Sequence, residues 1–212
     1  MLLVLENEVK PEVRYFVRAM SEFLPEHAVY DYANEGGRPS LSGVDGVVVA
    51  GSTAGVYERE EYPWMDAEAA LIRELVERRI PTLGVCFGHQ LVNRSLGGSV
   101  EHRGLTAELV RADFADDPLF EGVEGVVPAI HGDHVTELGE GMETVAATEH
   151  CEIFAARHRD APLWTTQFHP EFTAALLPRI AADFDWREND LSFGDVTSER
   201  VFENFAELAD EH

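Results

Sequence analysis

The fold of this chain is decided by residues 81–96, whose sequence is PTLGVCFGHQLVNRSL. The apolar run at residues 82–85 predicts a short buried strand that ends at Cys86, and the apolar residues after it recur at helical spacing. Gly84 and Gly88 flank the cysteine and give the pattern Gly-x-Cys-x-Gly. This is the nucleophile-elbow pattern of a strand–turn–helix, with sulfur in place of oxygen.

The setting of Cys86 favours a reactive side chain. Small neighbours allow the sharp turn, and the helix that follows presents unpaired N–H groups and the positive end of its dipole to the sulfur. Both features favour the thiolate over the thiol. An arbitrary cysteine at a strand end is more often a small buried apolar residue. The two glycines between a strand and a helix favour the nucleophile here.

The first half of the chain alternates strands and helices. Strands are predicted at residues 2–5, 28–32, 44–50 and 82–85, helices from Pro11 and over 65–79, and a loop over 34–42. This alternation predicts an α/β fold with a doubly wound sheet. Ligands in such sheets bind beyond the carboxyl ends of the strands. Residues 51–55, GSTAG, follow one strand and Cys86 follows another, so we expect them to share a pocket.

The second half is richer in strands. They are predicted at residues 99–102 and 106–111 with Gly104 as a turn, 126–130, 144–148, 153–157 and 163–168, and helices at 172–183 and 198–209 with Ser198 as N-cap. The strand at 126–130 is expected to end in a loop, His131-Gly132-Asp133-His134.

A second reactive group is predicted at His169-Pro170-Glu171. The residue before proline is biased to extended backbone, in which residues two apart face the same side. Glu171 is therefore expected to reach the ring of His169 and to fix its tautomer, as the third group of a nucleophile triad does. By itself such a tripeptide is more often a surface turn. Its pairing with the cysteine elbow favours catalysis.

With these motifs in view, the chain resembles the class I, or triad, glutamine amidotransferases. The matching residues are Gly84-Val85-Cys86-Phe87-Gly88-His89-Gln90, Gly97-Gly98, His131-Gly132-Asp133 and Gln167-Phe168-His169-Pro170-Glu171. Within this family, the chain most resembles stand-alone proteins that are similar to the amidotransferase domain of GMP synthase. The resemblance implies one domain over residues 1–212. Its sheet is flavodoxin-like and mainly parallel, with helices on both faces and a small additional β region.

The resemblance also implies the roles of the site residues. Cys86 is the nucleophile, His169 the general acid/base and Glu171 its orienter. The implied oxyanion donors are backbone N–H groups of Phe87 and of Gly51 and Ser52. Gln90 and the backbone of His131, Gly132 and Asp133 are implied to bind the substrate. One departure is Gly51-Ser52-Thr53, where much of the family has Gly-Gly-Pro.

The implied reaction is hydrolysis of the glutamine side-chain amide through a cysteine thioester, giving glutamate and ammonia for a separate synthetase. No cofactor is implied, and the 212 residues contain no Ser-Gly-Gly-x-Asp-Ser or Gly-x-x-x-x-Gly-Lys phosphate loop. An alternative is a γ-glutamyl peptidase or hydrolase with the same triad. An alternative of another class is a non-catalytic regulatory or chaperone-like module on this fold.

The amino-acid composition limits the binding partners that can be expected and indicates a cellular compartment. The formal net charge is −24, from 40 acidic and 16 basic residues spread along the chain, so binding to nucleic acid phosphates is not expected. An acidic surface of this kind suits a salt-rich, halophilic cytoplasm. The 2 cysteines are too few for a disulfide framework and fit a reducing compartment. No leader and no apolar run of membrane-spanning length is apparent, so we expect a cytoplasmic protein without a membrane partner.

Other histidines in the sequence admit a functional or a structural interpretation. His131, Asp133 and His134 could ligate a metal, but no further ligands appear at a familiar spacing, and no metal is expected. His89 could be a second base, and a helix-start residue that packs locally is the preferred interpretation. His150-Cys151 is interpreted as structural.

Overall fold

A nine-stranded mixed sheet organises the computed structural model, which describes residues 1–211. Its strands are β1 (Leu2–Glu6), β2 (His27–Asp31), β3 (Gly46–Val49), β4 (Thr82–Val85), β5 (Ser99–Phe114), β6 (Val126–Glu137), β7 (Met142–Thr148), β8 (Ala155–His158) and β9 (Leu163–Thr166). The α-helices are α1 (Tyr15–Ser21), α2 (Tyr32–Glu35), α3 (Trp64–Glu77), α4 (Phe87–Ser95), α5 (Leu177–Asp183) and α6 (Arg200–Asp210), and 3₁₀ turns lie at Pro11–Val13, Pro118–Phe120 and Phe193–Asp195.

The strand order is β2-β1-β3-β4-β9-β8-β7-β5-β6. The first five strands in this order run parallel, and every pairing from β9 to β6 is antiparallel. The predicted doubly wound α/β fold is confirmed, and the additional β region consists of the antiparallel strands β5 to β8. The carboxyl ends of β3, β4 and β9 therefore lie side by side at one edge.

Helices cover both faces of the parallel strands. Leu2 and Val4 of β1 pack in one apolar core with α1 and α6, whereas Leu3 and Leu5 pack in a second core with α3 and α4. Successive side chains of a strand point to opposite faces, so a strand buried on both faces reads as a continuous apolar run. This is why residues 2–5 show no alternation of apolar and polar residues.

The prediction of two strands separated by a turn at Gly104 is wrong. β5 is one strand that pairs with β6 on both sides of an irregularity between His102 and Thr106. Gly104 has a φ of +97°, which a glycine adopts without strain. Because β6 continues past this point, the extra residues form a bulge in β5 instead of reversing the chain.

Four other boundaries differ from the prediction. β6 runs through His131–His134, so these residues form part of a strand and not a loop. The helix predicted from residue 172 begins only at Leu177, because Pro178 lacks an N–H and belongs in a first helical turn. The N-cap of α6 is Glu199 and not Ser198. The Ser198 hydroxyl is buried and has no hydrogen-bond partner among residues 1–211. Finally, part of the predicted 34–42 loop belongs to the short helix α2.

Among the helices of residues 1–211, none combines the length and the apolar composition needed to cross a bilayer.

Helix α3 carries a buried carboxyl group whose titration should affect stability. Glu68 is fully buried and accepts a hydrogen bond from Asn7 Nδ2 at 3.0 Å. Burial raises the pKa of Glu68 to about 8 from an ordinary 4.5. The folded state therefore holds a proton that the unfolded chain has released, so the stability contributed by this group is full below about pH 4.5 and falls as the pH rises to about 8.

Glu68→Gln is accordingly expected to stabilise the fold at alkaline pH. The amide has the shape of the protonated acid and carries no titration, so the gain in free energy of unfolding should be about 1–3 kcal/mol near pH 9 and small near pH 5. Denaturant unfolding in high salt at both pH values measures it. An equal effect at the two pH values would contradict the assignment.

Candidate active site

Cys86 stands at the tight turn between β4 and α4. Its backbone has φ +53° and ψ −104°, a region that non-glycine residues rarely occupy. Cys86 N donates to Thr166 O at 2.8 Å, and Cys86 O accepts from Gln90 N at 3.2 Å, so the strained residue is held from both sides. A Cβ at Gly88 would lie 2.1 Å from Val49 O. The motif therefore needs glycine at this position for the turn to pack against β3.

His169 faces Cys86 from the neighbouring strand end. Its backbone N–H donates to Pro128 O at 3.0 Å, and its ring stacks on Phe172 with the ring centroids 4.2 Å apart. The His169 ring and the Cys86 side chain both border the Gly51 backbone and line one cleft. Nδ1 of His169 lies 2.8 Å from Glu171 Oε1. Nδ1–H therefore donates to Glu171 and leaves Nε2 for the sulfur. The structure brings the three predicted catalytic side chains together.

The backbone that joins His169 to Glu171 is not extended as predicted. Phe172 N donates to His169 O at 3.2 Å, so Pro170 and Glu171 form the centre of a β-turn. Proline is favoured at the second position of such turns because its φ is already set. The turn, and not the pleat of a strand, carries the carboxylate back to the ring.

The charges of Cys86 and Glu171 set the protonation state of His169. Burial by itself lowers the pKa of His169, but the negative charges of Cys86 and Glu171 outweigh it and raise the pKa to about 10. The imidazole is therefore a cation at neutral pH, opposite the sulfur. Glu171 Oε2 is buried without a partner among residues 1–211. The cation is thus its principal compensation for burial.

The predicted oxyanion donors lie next to this pair. A Cβ placed on Gly51 would be 3.5 Å from His169 Cε1 and 3.7 Å from Cys86 Cβ, so the Gly51 backbone borders both groups. Phe87 is the first residue of α4, where an N–H has no partner within the helix. Ser52 lines the cleft in front of Cys86.

A cleft of about 360 Å³ opens in front of the sulfur. Its lining includes the predicted residues Ser52, Cys86, Gln90, His131, Gly132, Asp133 and His169, together with Lys10, Phe16, Thr53, Ala54, Gly55, Tyr57, Glu58, His102, Leu105, Ile130 and Phe184. Glu171 is buried behind His169, as expected of a residue that orients the imidazole.

Gln90 is held in a fixed orientation inside this cleft. Its Nε2 donates to Asp133 O and to Gln167 Oε1, both at 3.2 Å. Its side-chain oxygen is thereby left to accept a hydrogen bond from a ligand. Gln167 belongs to the sequence motif that resembles the family, but the motif did not predict its contact with Gln90.

Asp133 links three segments at the mouth of the cleft. Its Oδ1 lies 2.9 Å from His102 Nδ1 and accepts from the Tyr57 hydroxyl at 3.4 Å. His102 was missed by the sequence reasoning because its place opposite Asp133 depends on the register between β5 and β6. Only long-range pairing shows that the two side chains are neighbours.

Three further histidines, His89, His131 and His134, are buried, and burial lowers the pKa of each. Burial lowers the pKa of His131 to about 3, with a further contribution from His134, whose ring centroid is 4.7 Å away. His89 also has its pKa lowered to about 3 by burial, and its ring contacts Thr165 Oγ1 at 2.7 Å and Ile153 O at 3.2 Å. His89 therefore packs between α4 and the sheet. Within residues 1–211, no three His, Cys, Asp or Glu side chains converge as metal ligands would.

Comparisons with known proteins point to one family. The family model for glutamine amidotransferase class-I matches residues 14–184. A glutamine-hydrolyzing GMP synthase subunit of Archaeoglobus fulgidus is 36% identical over 135 residues, which are 62% of this chain and 68% of that protein. A glutamine-hydrolyzing GMP synthase of Bordetella parapertussis is 34% identical over 177 residues, 75% of this chain but 32% of that protein.

Solved structures show the same fold. A putative GMP synthase subunit from Thermoplasma acidophilum has a TM-score of 0.74 at 19% identity, with 99% of this chain and 94% of that chain covered. A glutamine amidotransferase from Thermotoga maritima has a TM-score of 0.71 at 23% identity, with 98% and 94% covered.

The chain belongs to the class I glutamine amidotransferase family, since the family model spans most of its length. Within that family, the two relatives named above are a GMP synthase subunit and a GMP synthase. The chain spans about a third of the Bordetella GMP synthase, so the activity of that whole protein does not transfer with the match.

Proposed function

We propose that this protein is a glutaminase that hydrolyses the side-chain amide of glutamine through a thioester on Cys86. The observation that carries the proposal is the buried His169 ring, which lies beside Cys86 at the Gly51 backbone and is hydrogen-bonded to Glu171. An imidazolium beside a sulfur on a strained turn supports covalent catalysis. The cleft in front of the sulfur supplies the space for a small substrate.

The first half-reaction forms the thioester. The Cys86 thiolate attacks the amide carbon, and the resulting oxyanion accepts hydrogen bonds from the backbone N–H groups of Phe87 and of the Gly51-Ser52 segment. Each such donor contributes on the order of 3 kcal/mol in known hydrolases. His169 then donates its Nε2 proton to the amide nitrogen, the C–N bond breaks, and ammonia leaves.

The second half-reaction regenerates the enzyme. Neutral His169 takes a proton from water, the hydroxide attacks the thioester carbon, and the C–S bond breaks. Glutamic acid and the thiolate result, and His169 is again a cation. Glu171 holds the ring in the tautomer that both steps need.

We infer that the ammonia goes to a separate synthetase chain. The relative named as a subunit of GMP synthase supports a divided arrangement, and residues 1–212 are proposed to form one glutaminase domain. The two free cysteines support a reducing compartment for this assembly.

The test compares substrates in molar KCl, since a net charge of −24 needs screening. Ammonia release from glutamine is measured beside release of the amino acid from γ-glutamyl peptides. Glutamine is expected to be the better substrate by kcat/KM. Preference for the peptides would replace the proposal by a γ-glutamyl hydrolase, and turnover of neither, with and without proteins captured in molar salt, would leave a non-catalytic module.

A further inference from the structure

A buried acidic segment lies behind the loop that borders Cys86. β1 ends in Glu6, and Asn7 and Glu8 follow it, and all three side chains are at most 6% exposed. Burying polar and charged groups is costly unless hydrogen bonds compensate them. The partners of these side chains therefore indicate what the segment holds in place.

Glu8 binds Thr53 at two points. Its Oε2 accepts from Thr53 N at 2.9 Å, and its Oε1 accepts from Thr53 Oγ1 at 2.6 Å. Oε1 also accepts from Lys10 N at 2.7 Å. Both carboxylate oxygens are thus engaged, and two of the three bonds run to the loop that follows β3.

Asn7 holds the other end of the same loop. Its Nδ2 donates to Ala50 O at 3.3 Å and to Glu68 Oε1 at 3.0 Å. Gly51 and Ser52 therefore lie between two anchored positions, Ala50 and Thr53. Because β1 and β3 are adjacent parallel strands, their carboxyl ends bring the anchors and the loop together.

The anchored loop has little stiffness of its own. Residues 51–55 contain two glycines and no proline. Gly51 nevertheless borders Cys86 and His169. A displaced N–H at this position would no longer point to the oxyanion formed beside Cys86. Electrostatic stabilisation depends on donors that are already aimed at the developing charge, so an external clamp would supply what the loop sequence lacks.

We propose that Glu8 is a positioning residue that clamps Thr53 and thereby aims the Gly51-Ser52 N–H groups at the oxyanion formed beside Cys86, with Asn7 as the second anchor. The inference rests on the proposed glutaminase function. Since the donors act on the transition state, loss of the clamp lowers kcat and leaves KM nearly unchanged.

Three substitutions test the clamp. Glu8→Gln keeps the size of the side chain, but in either orientation its NH₂ group faces a backbone N–H, that of Thr53 or that of Lys10, which then loses its acceptor. The substitution also removes the negative charge that strengthens the bonds to Thr53, so kcat for glutamine is expected to fall roughly 10- to 100-fold. Thr53→Val removes only the hydroxyl bond and should cost roughly 3- to 10-fold. Thr53→Ser retains both bonds and should keep kcat within about twofold of wild type.

A second measurement separates positioning from a general loss of structure. The rate of Cys86 alkylation by iodoacetamide needs the thiolate but no oxyanion donor, so it should be unchanged in Glu8→Gln. The double variant Glu8→Gln with Thr53→Val should lose no more than Glu8→Gln alone, because both changes act on one interaction.

The outcomes distinguish the inference from the function on which it rests. A wild-type kcat in Glu8→Gln, or a parallel loss of alkylation and hydrolysis, would overturn the positioning role while the glutaminase assignment stands. A wild-type protein that hydrolyses no glutamine would overturn both. A drop in kcat with unchanged alkylation and a tolerant Thr53→Ser would support the clamp.

Discussion

Cys86→Ala is expected to abolish the hydrolysis of glutamine, with kcat reduced at least roughly 10⁴-fold. The substitution removes the sulfur that forms the thioester, and the residual donors have no covalent step to assist. The fold should survive, because the lost side chain makes one hydrogen bond, to Ile130 O at 3.5 Å. Steady-state release of ammonia and glutamate in molar KCl measures the loss, and thermal unfolding measures the fold.

The second cysteine provides a matched control. Cys151 is also buried, and burial raises the pKa of its thiol to about 11, so it stays protonated and unreactive. Cys151→Ala should keep the kcat of the wild type, and iodoacetamide should label Cys86 alone before unfolding. Undiminished turnover in Cys86→Ala would refute the nucleophile, and equal loss in both variants would indicate damage to the fold.

Local sequence patterns were enough to predict the strand–turn–helix at Cys86. The two glycines are required by contacts made within a few residues of the turn or with the adjacent strand, so the motif specifies its own geometry. The pairing of His169 with Glu171 could be predicted for the same reason, since only one residue separates them in the sequence. The extended backbone predicted from His169 to Glu171 is wrong, because proline favours an extended residue before it but is itself favoured at the corner of a turn.

Features that depend on distant parts of the chain could not be predicted in this way. The bulge at Gly104 follows from the unbroken β6 beside it, and the His102–Asp133 contact follows from their register. The burial of Glu8 and Glu68 could not be predicted for another reason. In a chain with 40 acidic residues, nothing local separates a buried glutamate from the many that face solvent. Their partners, Thr53 and Asn7, are 45 and 61 residues away along the chain.

Substitutions of His169 and Glu171 should also lower kcat/KM strongly, and the loss should be larger for His169. His169→Asn is expected to lower kcat/KM at least roughly 10⁴-fold, because it removes both the acid for ammonia and the base for water. Glu171→Gln should lower it roughly 10²- to 10⁴-fold, because the amide can still accept from Nδ1–H but carries no charge to hold the imidazolium. Initial rates with glutamine measure both losses.

The pH dependence distinguishes the role of Glu171 from simple support of the fold. A negative charge beside His169 contributes to its pKa of about 10, so Glu171→Gln should move the alkaline limb of kcat/KM to lower pH. Stability should change in the same window. A histidine whose pKa is raised on folding stabilises the protein fully below its unfolded value near 6.5, and this contribution disappears as the pH rises through about 10. The variant should lose part of this dependence, because Cys86 also raises the pKa of His169. An unmoved alkaline limb together with an unchanged stability profile would show that Glu171 does not contribute to the charge of the imidazole.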